Sequence, residues 1–265
     1  MKALIQLLVL IATFFLMWFA FSKIDFLGNV DLDKFSQEQE NKLGDLLMEQ
    51  LKKTSKRVTN DSVNFAVNQI VKQICTANNI DQKNIKSVVL VNSNVNAFAL
   101  PGDHLVVLTG AITYCKTPEE LAGVMAHEIA HIEKDHVMKK LIKEVGISML
   151  FVIAGGEGTF EIINQVLKLV SSSAFDRDQE TEADLYAVKL LTKAQINPSG
   201  LADFLFRLSG EQGDLSDDFE FLSTHPGSAE RTETILSEIK KNPSNFKPLE
   251  VGNWEEIKEL AKNSD

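Results

Sequence analysis

Apolar side chains recur at intervals of three and four over most of the chain, the spacing of one buried helix face. Residues 35–57 and 61–78 read as two amphipathic helices on this basis. Leu121, Val124, Met125 and Ile132 continue the same period, and Thr117-Pro118-Glu119-Glu120 supplies a helix start, with Thr117 as cap, Pro118 at the first helical position and Glu120 closing a capping box. Leu185, Val188 and Leu191 mark another buried stripe, and residues 228–240 and 254–262 read as later helices. The period changes at residues 87–91 and 97–109, where Val88-Val89-Leu90-Val91 and Leu105-Val106-Val107-Leu108 are short apolar runs. Asn92-Ser93-Asn94 and Pro101-Gly102-Asp103 provide turn chemistry between and within them, so a hairpin is expected. The pattern predicts an α+β fold, mostly α-helical, with a small β-hairpin or sheet beside the helix that begins at Pro118.

Two stretches are apolar without a polar face. Residues 3–21 contain no charge, a run of nineteen that nearly spans a ~30 Å hydrocarbon core. Lys2 lies before the run and Trp18 near its far end, which predicts an N-terminal single-pass anchor with the remainder on the extracytoplasmic side. A signal peptide cleaved near Ala20-Phe21-Ser22 is the alternative. Residues 145–154 are too few to cross a bilayer and run into Gly155-Gly156-Glu157-Gly158; with the segment up to residue 172 they form either a lid over a cleft or a helical hairpin completing the core. The expected organisation is an anchor or signal at 1–22, a linker at 23–34, one domain at 35–241 and a tail at 242–265 with a short helix.

Acidic residues outnumber basic ones 37 to 27, and a net charge of -10 gives no electrostatic reason to expect nucleic-acid binding. Cys75 and Cys115 are the only cysteines; outside the cytoplasm they could pair, and two separately buried thiols are an equal alternative.

Candidate chemistry lies in the histidines, three of which fall between residues 127 and 136. His127-Glu128-Ile129-Ala130-His131 places two imidazoles on one helix face, with Glu128 about 100° round from the first. This is the H-E-x-x-H arrangement of zinc peptidases. Two histidines leave a zinc site incomplete. Glu180-Thr181-Glu182-Ala183-Asp184 offers the remainder: Glu180 and Asp184 share a face, so the first can reach the metal while the second accepts the N–H of a ligating imidazole, and Glu182 projects elsewhere.

With these residues the chain resembles the gluzincin metallopeptidases of the HtpX-like and CAAX-prenyl-protease type, which include envelope proteases of the BepA kind. The resemblance rests on H-E-x-x-H at 127–131, E-x-x-x-D at 180–184, His225-Pro226 followed by Arg231, and Asn96-Ala97-Phe98-Ala99-Leu100-Pro101-Gly102 before the catalytic helix, and covers about residues 60–240. Asp103 departs from it where a second glycine is expected. It implies a gluzincin-type domain holding one zinc ion per chain through His127, His131 and Glu180, with Glu128 as general base and Asp184 and Arg231 in support. It also implies polypeptide substrates, among them unfolded or misassembled envelope proteins.

Three protein ligands leave a fourth position for water, whose pKa the metal lowers toward ~7, and Glu128 can take its proton. His225, on a turn before proline, is a candidate donor to the developing oxyanion; it could instead close the fourth position and hold the enzyme latent, or serve only as a helix entry. Asn96, Ala97 and Phe98 are the expected edge along which a peptide adds as one more strand, unless the hairpin only supports the helix. Two rivals to hydrolysis remain: a chaperone or assembly factor using the same cleft, and a structural zinc site closed by His225.

Overall fold

The computed structural model describes residues 35–81, 85–210, 219–241 and 244–264, with positions 6, 11 and 13 besides. The expected anchor or signal at 1–22, apart from those three positions, and the linker at 23–34 lie outside the described residues. Among the described residues no helix is long and apolar enough to cross a membrane.

Helices α1 (Gln37–Thr54) and α2 (Asp61–Asn78) start at Ser36, which forms a capping box with Gln39, and at Asn60, whose side chain accepts from Ser62 and Val63 amides. Each turns a stripe such as Leu43, Leu47 and Met48, or Val67, Ile70 and Ile74, into the core. Strands β1 (Lys86–Leu90), β2 (Ala97–Leu100) and β3 (His104–Leu108) form a sheet ordered β1-β3-β2. Helix α3 (Thr109–Tyr114) follows β3 directly.

The expected pairing of the two apolar runs as a hairpin is corrected here. β1 runs parallel to β3, with Val88 opposite Val106, while the antiparallel hairpin joins β2 to β3, with Ala97 opposite Val107. The cause is the tight turn at 101–103, where Gly102 and Asp103 take positive φ values of 68° and 63°. That reverses the chain between β2 and β3, and Asp tolerates the left-handed region well enough to replace the second glycine. The residues between β1 and β2 cross to the far side of β3.

Helix α4 (Pro118–Glu133) is the centre of the molecule, buried on nearly every side from Glu120 to His131. Thr117 caps it by accepting from the Glu120 amide at 3.4 Å. The Glu120 carboxylate does not return to Thr117 as a capping box requires: it accepts from the Lys116 amide at 2.7 Å and holds Arg207 through two short bonds. Around α4 lie the sheet, α8 (Arg177–Lys193) and α9 (Ser199–Gly210). α4 and α9 approach closely because both carry a glycine at the contact; a Cβ on Gly123 would stand 2.7 Å from the Leu201 nitrogen, and one on Gly200 2.4 Å from the Glu119 oxygen.

Between the helices that carry His127 and Glu180, the chain forms α5 (His136–Val145), α6 (Ile147–Ala154) and α7 (Phe160–Ser172). α6 and α7 pack against α1, and α7 also against β2. α10 (Glu220–Thr224) leads through His225 to α11 (Ser228–Lys241), and α12 (Trp254–Lys262) closes over α2 and α3, where Trp254 donates to the Cys115 carbonyl at 3.1 Å. Cys75 and Cys115 are buried and unpaired with each other, so the disulfide alternative is not formed.

Candidate metal centre

His127 and His131, one turn apart on α4, are fully buried, and their Nε2 atoms stand 3.0 Å from each other. Glu180 arrives from the first turn of α8: one carboxylate oxygen is 3.5 Å from His127 Nε2 and the other 3.4 Å from His131 Nε2. His225, at the end of α10, brings Nδ1 to 3.3 Å from His127 Nε2 and 2.9 Å from Glu180 Oε1. One ligand atom from each of the four residues lies within 4.8 Å of all the others.

These spacings carry chemical information. Donor atoms around a tetrahedral zinc with bonds of ~2.0–2.1 Å stand about 3.3 Å apart, and the closest approaches here run from 2.9 to 3.5 Å. Nitrogen lone pairs that converge without a cation between them repel, so three imidazoles and a buried acid aimed at one point are a donor set that a divalent metal satisfies. Nitrogen and oxygen donors in tetrahedral array suit zinc.

Groups behind the donors hold them in place. Asp184, one turn beyond Glu180, accepts from His127 Nδ1 at 3.0 Å, and Arg231 on α11 binds Asp184 through Nε and Nη2 and reaches Glu180 Oε2 through Nη1 at 2.5 Å. Glu128 faces the sheet: its Oε2 accepts from the Ala99 amide of β2 at 3.1 Å, and Oε1 lies 3.4 Å from His225 Nε2. Phe175 lies on the His131 ring at 4.0 Å between centroids, and Phe221 stacks on His225 at 4.3 Å.

Burial sets the protonation chemistry. It pushes the Glu128 carboxyl upward, partly opposed by His225 and His127, which suits a group that must accept a proton near neutral pH. It drives His131 well below its ordinary value. For His127 burial works against charge, but Asp184 and Glu180 outweigh it and lift the ring to about 9. Burial likewise opposes charge on Glu180 and Asp184, yet His225 with the hydrogen-bonded His127 and His131 in the first case, and Arg231 in the second, hold both carboxyls low.

The structure thus brings together His127, Glu128, His131, Glu180, Asp184, His225 and Arg231, from three separate parts of the sequence. β2 is the edge of the sheet among the described residues, but Asn96, Ala97 and Phe98 are buried, at 0%, 0% and 7% exposure: Ala97 belongs to the hydrophobic core, β2 packs against both α4 and α7, and the Ser171 carbonyl takes the Asn96 side-chain amide at 3.4 Å. Glu182 does not simply face solvent: it binds Lys134 at 2.9 Å and approaches His136 at 3.4 Å. Sequence reasoning gave no role to Phe175, Phe221 or His136; only the crowding of histidines near residue 131 pointed toward the last.

A buried acid from one helix set against a His-Glu-x-x-His pair on another defines a zinc-dependent metallopeptidase centre. Residues 62–239 match the model of peptidase family M48, and the chain belongs to that family. It is 24% identical over 237 residues to a putative beta-barrel assembly-enhancing protease of Vibrio cholerae, covering 85% of this chain and 48% of that protein. It is 29% identical over 175 residues to the mitochondrial metalloendopeptidase OMA1 of Schizosaccharomyces pombe, covering 64% of this chain and 51% of the relative. To the metalloprotease LoiP of Escherichia coli it is 32% identical over 169 residues, covering 60% and 64%. The chain spans about half the length of the first two of these relatives.

Proposed function

We propose that this chain is a zinc endopeptidase that removes misassembled or damaged proteins of the cell envelope, tethered by its N-terminal apolar run with the domain at 35–241 outside the cytoplasm. The convergence of His127, His131 and Glu180 on one point, with Glu128 beside it, carries the reading. The envelope role and the substrate class draw on the name of the beta-barrel assembly-enhancing relatives and on the nineteen-residue apolar run.

His127, His131 and Glu180 would hold zinc, which when bound polarises a peptide carbonyl and makes hydroxide available near neutral pH. Glu128 takes the proton of the attacking water and passes it to the leaving amine. Its Ala99 hydrogen bond fixes one carboxylate oxygen and leaves the other 3.4 Å from His225 Nε2. A peptide aligned along Asn96, Ala97 and Phe98 would find the Asn96 Oδ1 acceptor, which has no hydrogen-bond partner. Because α7 covers this edge, substrate entry requires the segment at 145–172 to move, which favours flexible or unfolded chains.

His225 favours a second feature of the same reading. Its Nδ1 lies among the ligand atoms, so with zinc bound the ring would serve as a fourth donor in place of water and would hold the enzyme latent until it withdraws. The same contact is the one observation that supports a purely structural zinc site. Such a site has no use for a buried carboxylate at Glu128, and neither does a binding-only chaperone cleft. Zinc-dependent digestion of casein, abolished in Glu128→Gln with metal content unchanged, is the expected result; undiminished digestion by that variant would reject the proposal.

A further inference from the structure

The second nitrogen of His131 faces away from the ligand cluster, and it meets another imidazole. His131 Nδ1 lies 3.1 Å from His136 Nδ1, and His136 Nε2 lies 3.4 Å from Glu182 Oε2. His136 is buried, at 1% exposure, whereas Glu182 is half exposed and is itself held by Lys134 Nζ at 2.9 Å. The row of groups leads from the metal centre to the surface.

This meeting is not a product of ordinary helix geometry. Residues five apart on one helix diverge by about 140° around its axis, which would send the two rings to different faces. The chain avoids that outcome by ending α4 at Glu133, placing Asp135 in the left-handed region at φ 55°, and starting α5 at His136. Non-glycine residues enter that region at a cost, so the break is a specific local feature that sets the ring back over the end of α4.

Hydrogen placement along the row has one consistent solution. His131 presents Nε2 to the ligand cluster, so as a ligand that nitrogen is bare and its hydrogen resides on Nδ1. Nδ1 therefore donates, and His136 Nδ1 must accept. The His136 hydrogen then resides on Nε2, where the Glu182 carboxylate accepts it. Each group is both used and satisfied.

We propose that His136, backed by Glu182, is the positioning residue that fixes the tautomer and ring orientation of His131 as a metal ligand, as Asp184 does for His127. This rests on the metal reading given above. Outer partners of ligating histidines commonly change metal affinity by ~10–100-fold when removed.

The test uses the full chain loaded with zinc, a competing chelator to read affinity, and thermal melting of the metal-free protein as a separate reading of fold. His136→Leu should hold zinc about 10–100-fold more weakly, with a metal-free melting temperature close to that of the unsubstituted chain. His136→Asn, whose side-chain oxygen can accept where Nδ1 accepted, should recover most of the loss. Glu182→Ala should show a smaller loss in the same direction, and decides the matter alone where His136→Leu does not fold. Affinity within about twofold of the unsubstituted chain in the folded variants, well short of the range expected for such partners, would overturn the proposal. Failure of the unsubstituted chain to hold zinc would overturn the metal reading itself, and this relay with it.

Discussion

Arg231 grips Asp184 with two hydrogen bonds, Nε to Oδ2 and Nη2 to Oδ1, each 2.7 Å long. The pair is almost wholly buried, at 6% and 1% side-chain exposure, and Arg231 is also the cation nearest Glu180 Oε2. Removing the guanidinium takes a buried counter-charge away from both carboxylates and leaves them with His127. Arg231→Met should therefore lower stability by ~3–5 kcal/mol, measured by urea unfolding of the metal-free protein. Asp184→Asn in the same chain should restore part of the loss. A variant as stable as the unsubstituted protein would show that the clamp contributes little.

Gly44 on α1 faces the turn between β2 and β3, where an added Cβ would stand 1.8 Å from the Pro101 carbonyl oxygen and 2.6 Å from its carbon. Backbone cannot yield as a side-chain tip can. Gly44→Ala is expected to push α1 away from this turn and to destabilise by ~1–3 kcal/mol or more, despite the better helix propensity of alanine. Unfolding midpoints equal to those of the unsubstituted chain would contradict the close approach.

Lys140 is buried beside the site, donating to the Ser173 carbonyl and lying 4.1 Å over the Phe175 ring. Burial, opposed by Glu128, Glu180 and Glu144, lowers its ammonium from 10.5 to about 8. Below pH 8 both folded and unfolded chains hold this proton and the full cost is present. Between about 8 and 10.5 only the unfolded chain still binds it, so this contribution to stability rises with pH, by about 3 kcal/mol at ~1.36 kcal/mol per pH unit. Comparing pH profiles of the unsubstituted chain and Lys140→Met isolates the effect from other titrating groups. Their difference should grow in favour of the unsubstituted chain across that window; a constant difference would refute it.

Much of the centre was legible because its signals are local. The Thr117-Pro118 start and the 3.6-residue period define α4, and four-residue spacings put His127 with His131, and Glu180 with Asp184, on common faces. Strand order was not legible, since Val88–Val91 and Leu105–Leu108 are unbroken apolar runs whose pattern is the same for parallel and antiparallel neighbours. The contact of His136 with His131 depends on a left-handed residue at Asp135, which no neighbouring glycine announces. Burial of Asn96, Ala97 and Phe98 depends on how β2 packs between α4 and α7, long-range contacts that leave no periodic trace in the segment.

The most direct measurement is metal content per chain, by elemental analysis of the purified protein and of Glu180→Ala. The account predicts about one zinc per unsubstituted chain, from the one converging donor set among the described residues, and weakened retention in the variant after mild chelation. A folded, unsubstituted chain that carries no zinc after incubation with the metal, or a Glu180→Ala chain that keeps it as tightly, would contradict it.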